Sequence, residues 1–203
     1  MPASSDSPLL HVDCGYGHKH ALGRLQLEVV PGEIVVVTGP NGAGKSTLMS
    51  TIAGEIEPVE GEVRVAGDRD PASPDGAGVV TFLADPSFFP DLTIGEHLEM
   101  TAHHVGVPAD ELRDSIERWE VADIESELPS RVSSGQRQRA YLALQLASAT
   151  DVVVLDEPER HLDGDWVRRL CDALADVATG GAAVVVATHS THLAGRTDRT
   201  VQL

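Results

Sequence analysis

Apolar and polar residues alternate in three short runs near the start of the chain, LLHVDC at 9–14, RLQLEVV at 24–30 and EIVVV at 33–37. A period of two predicts strands, and Pro31-Gly32 turns the chain between the second and third. The pattern then changes. A glycine-rich loop at 39–44 leads into a predicted helix from about Lys45 to Ala53, closed by Gly54. VRVAG at 63–67 and VVTFLA at 79–84 read as strands, separated by a Pro/Gly/Asp-rich loop at 67–78. From Thr93 to Leu128 the spacing is helical, with Thr93 placed to cap the first turn and Glu96 three residues on. SSGQRQRAYLALQLASA predicts another helix, DVVVLDEP a buried strand, 163–178 a helix and AAVVVAT a last strand before a short tail. Strands alternating with helices predict an α/β protein whose mostly parallel sheet is covered on both faces. The helical stretch at about 93–147 reads as a lobe inserted into that core.

The stretch VVVTGPNGAGKST carries the first chemistry. Gly39, Gly42 and Gly44 precede Lys45, Ser46 and Thr47 at phosphate-loop spacing, between a strand and a helix. Glycines let successive backbone N–H groups turn inward as a nest for phosphate oxygens. The helix behind adds its unpaired first N–H groups and the positive end of its dipole. Lys45 then supplies a charge for the outer phosphates, and Ser46 a hydroxyl ligand for Mg²⁺. VVVLDEP places Asp156 and Glu157 at the end of a strand. Asp156 is suited to holding Mg²⁺, and Glu157 to polarising an attacking water as general base. A second anion site is harder to explain: in VSSGQRQR, Ser133 and Gly135 stand at a predicted helix start, where N–H groups and a hydroxyl can hold phosphate.

Charge narrows the partners. With 15 Lys plus Arg against 32 Asp plus Glu, the 203-residue chain has a formal charge of −17. That balance argues against nucleic acid, whose binders need a basic face. Only two lysines occur, Lys19 and Lys45, and one lies in the glycine loop. Because exposed charges beyond a Debye length of about 8 Å are largely screened, a local field can hold a triphosphate on an acidic protein. The aliphatic runs VVVL and AAVVVA are too short to cross a bilayer, so no direct membrane insertion is expected. The first residues, MPASSDSPLLH, lack the features of a signal peptide. Cys14 and Cys171 show neither metal nor disulfide spacing and suit a reduced cytosol.

GPNGAGKST, VSSGQ, VVVLDEP, HLD and VVVATHS occur in an order and spacing that resembles the ATP-binding cassette (ABC) ATPase domains, over nearly the whole chain. The resemblance implies a P-loop NTPase core with an N-terminal antiparallel β subdomain and a helical lobe, all one domain over 1–203. It implies ATP and Mg²⁺ as ligands, held by Asn41, Gly42, Ala43, Gly44, Lys45, Ser46 and Thr47. It also explains the second anion site. Two such domains pair head to tail, and Ser133, Gly135 and Gln136 of one cap the γ-phosphate on the other. Asp163 would lie at the seam between them. His189 would contact the γ-phosphate, joining Glu157 and Lys45 in catalysis. Tyr16, which precedes Lys45 by 29 residues, would stack on adenine or serve packing alone.

Three departures from the family pattern stand out. VSSGQ replaces LSGGQ. Ala84 stands where the family has a glutamine that reaches Mg²⁺ and couples the nucleotide to the lobe. Asp85 is next in line, either as a metal ligand or as a solvated turn acid. Glu159-Arg160-His161 fills a position usually small or polar, and Arg160 either reaches across the seam or lies exposed. Phe88 and Phe89 are two of the three phenylalanines, set together in a Pro-bounded loop; they read as a partner groove or as packing between core and lobe. The expectation is an ATP-hydrolysing transporter subunit, driving export rather than import, at the inner face of the cell membrane through a separate integral permease. Rival readings are a soluble ABC ATPase unconnected with transport, and a nucleotide-gated interaction module with little turnover.

Overall fold

The computed structural model describes residues 7–203; the expected absence of a signal peptide falls mostly on residues outside that range. Strands β1 (Leu10–Gly17), β2 (Ala21–Val29) and β4 (Glu60–Val65) form an antiparallel sheet in the order β2-β1-β4. A second, all-parallel sheet runs β5-β6-β7-β3-β8, built from β5 (Val80–Leu83), β6 (Val152–Asp156), β7 (Ala183–Ala187), β3 (Ile34–Thr38) and β8 (Arg199–Gln202). The long helices are α1 (Lys45–Ile52), α3 (Ile94–Val105), α5 (Ser134–Ala147) and α6 (Gly164–Thr179). The shorter ones are α2 (Pro74–Ala77), α4 (Ala109–Ser115) and α7 (Thr191–Ala194).

The continuous valine runs of β3, β6 and β7 follow from burial on both faces, as parallel sheets require. Val35, Val37, Val152, Val154 and Val185 point to one core, which they share with Leu48, Met49 and Ile52 of α1 and the antiparallel sheet. Ile34, Val36, Val153, Leu155, Val184 and Val186 point to the other, shared with α3, α5 and α6. One residue of register separates the two sets. The lobe is therefore packed onto the sheet's second face: Leu98, Leu112 and Trp119 belong to the same apolar cluster as Val153.

Most elements lie where the pattern put them, with shifts of a few residues at their ends. Thr93 caps α3 in a full capping box with Glu96. The helical stretch breaks after α3, where Gly106 sits at φ 78 and Pro108 precedes α4, so the lobe holds two helices and two 3-10 turns before α5. The short helix α2 and the strand β8 were expected as loop and tail. Pro at the first position and Ser73 as N-cap explain α2. Arg199–Gln202 is mostly exposed and becomes a strand because β3 offers it a free edge, Val35 to Thr38 pairing with Arg199 to Gln202.

The loop after β5 separates the two adjacent phenylalanines. Phe88 packs against the lobe core, edge-on to His97 at 5.0 Å and to Tyr141 at 5.9 Å. Phe89 stacks on His97 yet is 59% exposed. His97 is buried, its Nε2 accepting from the Phe89 N–H at 2.9 Å and its Nδ1 bonded to the Thr93 carbonyl at 2.7 Å. Packing is the role of Phe88, and Phe89 alone presents an apolar surface. Phe88 is half-buried, so Phe88→Ala is expected to cost about 2 kcal/mol of stability, below the range for a fully buried aromatic, and Phe89→Ala about 0.5 kcal/mol. Urea unfolding with an unchanged m-value measures both.

Candidate functional site

The site assembles at the carboxyl ends of β3, β6 and β7, where open parallel sheets place their ligands. β3 runs straight into the glycine loop. Gly44 takes φ 90 as N-cap of α1, a conformation L side chains avoid, and a Cβ there would stand 2.9 Å from the Tyr16 ring. Gly42, at φ 82, would project a Cβ into open space, the room a phosphate group needs. Lys45 is 6% exposed, and its ammonium donates to the Gly39 carbonyl at 3.0 Å and the Pro40 carbonyl at 3.2 Å. Those bonds hold the loop curled. A phosphate oxygen would be a stronger partner for the same charge.

β6 delivers two adjacent carboxylates into opposite environments. Asp156 is pushed up in pKa, first by burial, while the hydrogen bond from Ser46 acts against the shift. Its Oδ1 is buried with no hydrogen-bond partner. A hydroxyl and a carboxylate with one unpaired buried oxygen are a hard-cation donor set, so Ser46 and Asp156 fit Mg²⁺. Glu157 is held low in pKa, first by its hydrogen bond from Arg160 and against its burial. Its backbone sits at φ 48, in the left-handed region unusual for a non-glycine residue. That turn points the carboxylate toward His189, whose Nε2 lies 3.3 Å from Glu157 Oε1. An ionised carboxylate with an imidazole beside it can orient water and take its proton.

The remaining expected residues distribute unevenly. Ser133 caps α5, accepting from the Gln136 N–H at 3.2 Å while Gln136 Oε1 accepts from the Ser133 N–H at 2.9 Å. Ser133 is exposed at the helix N-terminus that its hydroxyl caps. Gly135 has a packing reason as well, because a Cβ would meet the His161 carbonyl at 3.0 Å. Asp163 caps α6, accepting from the N–H groups of Asp165 and Trp166 at 3.0 and 3.1 Å. Asn41 is exposed at the loop's tip, Ala43 half-buried, and Thr47 on the first turn of α1.

Tyr16 and Asp85 each carry two readings from the sequence. Tyr16 is 3% exposed, with its ring against Gly44 and Gly23 and its hydroxyl donating to the Ala43 carbonyl at 3.4 Å. A ring so covered offers no face to adenine; it supports the loop from below, which is the packing role. Asp85 shares the Arg160 guanidinium with Glu157. Among the described residues no three of His, Cys, Asp or Glu converge at metal-binding distance, and Asp85 Oδ1 pairs with Arg160 at 2.6 Å. In this structure that carboxylate has the Arg160 guanidinium as its partner.

Arg160 reaches back within its own chain to Glu157 and Asp85. Glu159, for which the sequence suggests no partner, turns toward the end of β7. Its Oε1 accepts from the His189 N–H at 3.1 Å and from the Thr188 hydroxyl, fixing the segment that carries His189. Gln138, 2% exposed, donates to the Pro158 carbonyl at 2.8 Å and so ties α5 to the turn after Glu157. The polarity of Gln138 at an inward helical position is its only signal, and Glu159 is marked only by its place in the Glu159-Arg160-His161 departure.

A family model described as ABC transporter matches residues 22–160. The lipoprotein-releasing system ATP-binding protein LolD of Maricaulis maris is 36% identical over 196 residues, covering 90% of this chain and 85% of LolD. The macrolide export ATP-binding/permease protein MacB of Rhodopseudomonas palustris is 35% identical over 90% of this chain, which spans only 30% of MacB. The dimeric bacterial ABC transporter cassette MJ0796 superposes with a TM-score of 0.84 at 23% identity, covering 96% of this chain and 93% of that one. With a family model over more than half of its length and a relative covered nearly end to end, the chain belongs to the ABC transporter family as an ATP-binding, ATP-hydrolysing domain.

Proposed function

We propose that this chain is the ATP-driven motor of a transporter, in which two such domains close around ATP and drive export through a separate integral membrane permease. The observation that carries the reading is the Ser46–Asp156 contact with its unpaired buried Oδ1, placed beside Glu157 and a buried Lys45. Lys45 and the N–H groups of residues 41–47 hold the phosphates. Ser46 and Asp156 would hold Mg²⁺, which would offset charge on the outer phosphates. Glu157 takes the proton of the attacking water, and His189 orients that water against the γ-phosphate.

Residues 1–203 act as one domain, with 93–147 as the lobe that meets the permease. The apolar cluster shared by lobe and sheet supports this. Exposed Phe89, in the loop joining them, is the apolar contact offered to the permease. No helix of the described residues is long and apolar enough to cross a membrane, so the transport path belongs to other segments or chains. The motor then sits at the inner face of the cell membrane through its permease. The export direction is supported by the likeness to MacB, a macrolide export protein, and to LolD, part of a lipoprotein-releasing system.

Pairing gives the exposed Ser133 and the start of α5 a phosphate to bind, since Asp163 and Gly135 bring the seam turn beside them. Phosphate release against protein concentration tests it. The rate per chain is expected to rise with concentration and then level off; a rate per chain flat from the most dilute sample upward would mean that single domains hydrolyse ATP.

A further inference from the structure

The turn between Glu157 and Asp163 spells Pro-Glu-Arg-His-Leu, and its backbone folds back on itself. Arg160 N–H donates to the Glu157 carbonyl at 3.1 Å, with Glu157 at φ 48 and His161 at φ 66. That geometry returns the Arg160 side chain over the residue three positions earlier. Nη2 meets Glu157 Oε2 at 2.8 Å, and Nη1 meets Asp85 Oδ1 at 2.6 Å. The other oxygen of Glu157 faces His189 Nε2 at 3.3 Å. Both oxygens of the proposed base are therefore engaged before any water reaches them.

Asp85 lies two residues beyond β5, on the segment that continues through Phe88 and Phe89 into α3. The family glutamine expected to couple this segment to the reaction is absent, and Ala84 cannot replace its reach. One guanidinium spans the gap instead. It links the lobe's entry loop to the carboxylate that must act, across 75 residues of sequence.

We propose that Arg160 is a positioning residue that works as a latch: shared between Asp85 and Glu157, it holds the base engaged in the nucleotide-free domain and lets it go when the Asp85 loop shifts. The inference rests on Glu157 as the base. Arg160 is half-exposed and Asp85 largely so. Such pairs are individually weak, which suits a contact that has to open in every cycle. Two carboxylates also compete for one guanidinium, and the competition sets the signs of the test. Loss of Asp85 leaves Arg160 to Glu157 alone and tightens the latch. Loss of Arg160 removes it.

The test measures basal ATP hydrolysis by the purified chain, with kcat and KM resolved. Arg160→Gln is expected to raise kcat roughly fivefold, the worth of one exposed ion pair, with KM for ATP unchanged because Arg160 does not touch the phosphate loop. Asp85→Asn is expected to lower kcat by a similar factor, and the double variant to follow Arg160→Gln. A side chain that merely supports the fold would not give opposite signs from the two ends of one contact. Arg160→Lys, which keeps the charge but loses the planar fork, should fall between parent and Arg160→Gln, and it decides the matter if Arg160→Gln does not fold. A kcat at or below the parental value in folded Arg160 variants would overturn the latch. Glu157→Gln measured alongside separates the two failures: if it still turns over, the assigned base is wrong; if it is inactive while the Arg160 variants are not faster, only the latch is wrong.

Discussion

Glu157→Gln is expected to lower steady-state ATP turnover by about a hundredfold or more while ATP still binds. Loss of a general base costs typically 10²–10⁴ in rate, and a hundredfold corresponds to ~2.7 kcal/mol of barrier. Glutamine keeps the length and shape of the side chain, so the backbone turn at φ 48 and the contacts to Arg160 and His189 have a partner of similar size. What it loses is the lone pair able to take a proton at neutral pH. The binding groups lie elsewhere. Lys45, the glycine loop and the N-terminus of α1 are untouched by the change, and so is the Ser46–Asp156 pair. Phosphate release and equilibrium binding of a fluorescent ATP analogue, measured on the same protein, separate the two properties. Turnover near the parental rate would mean that another group accepts the proton. Loss of binding with turnover would mean that Glu157 holds nucleotide rather than water.

The parts of this site that sequence makes legible are those in which chemistry is local. The glycine loop is one uninterrupted run between a strand and a helix, so its spacing alone fixes what it can cradle. Asp156 and Glu157 sit at the end of a valine run too apolar to be anything but a buried strand. The two faces of the central sheet likewise follow from single-residue alternation. Where the reading fell short, the deciding partner is distant in sequence. Tyr16 is buried because the loop 27 residues later closes over it. Asp85 meets a guanidinium 75 residues on, and Glu159 meets the backbone of His189 30 residues on. β8 carries little apolar periodicity of its own and is a strand because β3 has an edge to complete. In each case tertiary contact overrides what the local pattern proposes.

Two variants that are each inactive alone should recover activity when mixed, if the catalytic pocket is shared between copies of this chain. Lys45→Ala removes the charge that the phosphate loop holds ready, yet leaves Ser133 intact. Ser133→Arg blocks the start of α5, yet leaves the phosphate loop intact. In a mixed pair, one of the two pockets combines the sound loop of the second variant with the sound helix start of the first. Random assortment makes half the dimers mixed, each with one good pocket, so about a quarter of the parental rate is expected where the pockets work independently. The Ser133 substitution also removes an N-cap, a loss of about 1 kcal/mol. That is small beside the roughly 5–15 kcal/mol that keeps a domain folded, so inactivity of that variant reports the pocket and not unfolding. Phosphate release from the equimolar mixture, set against each variant alone at the same total concentration, gives the answer. A mixture no faster than the sum of its parts, with both chains folded, would place the whole reaction inside one copy and leave the exposed Ser133 without a phosphate to bind.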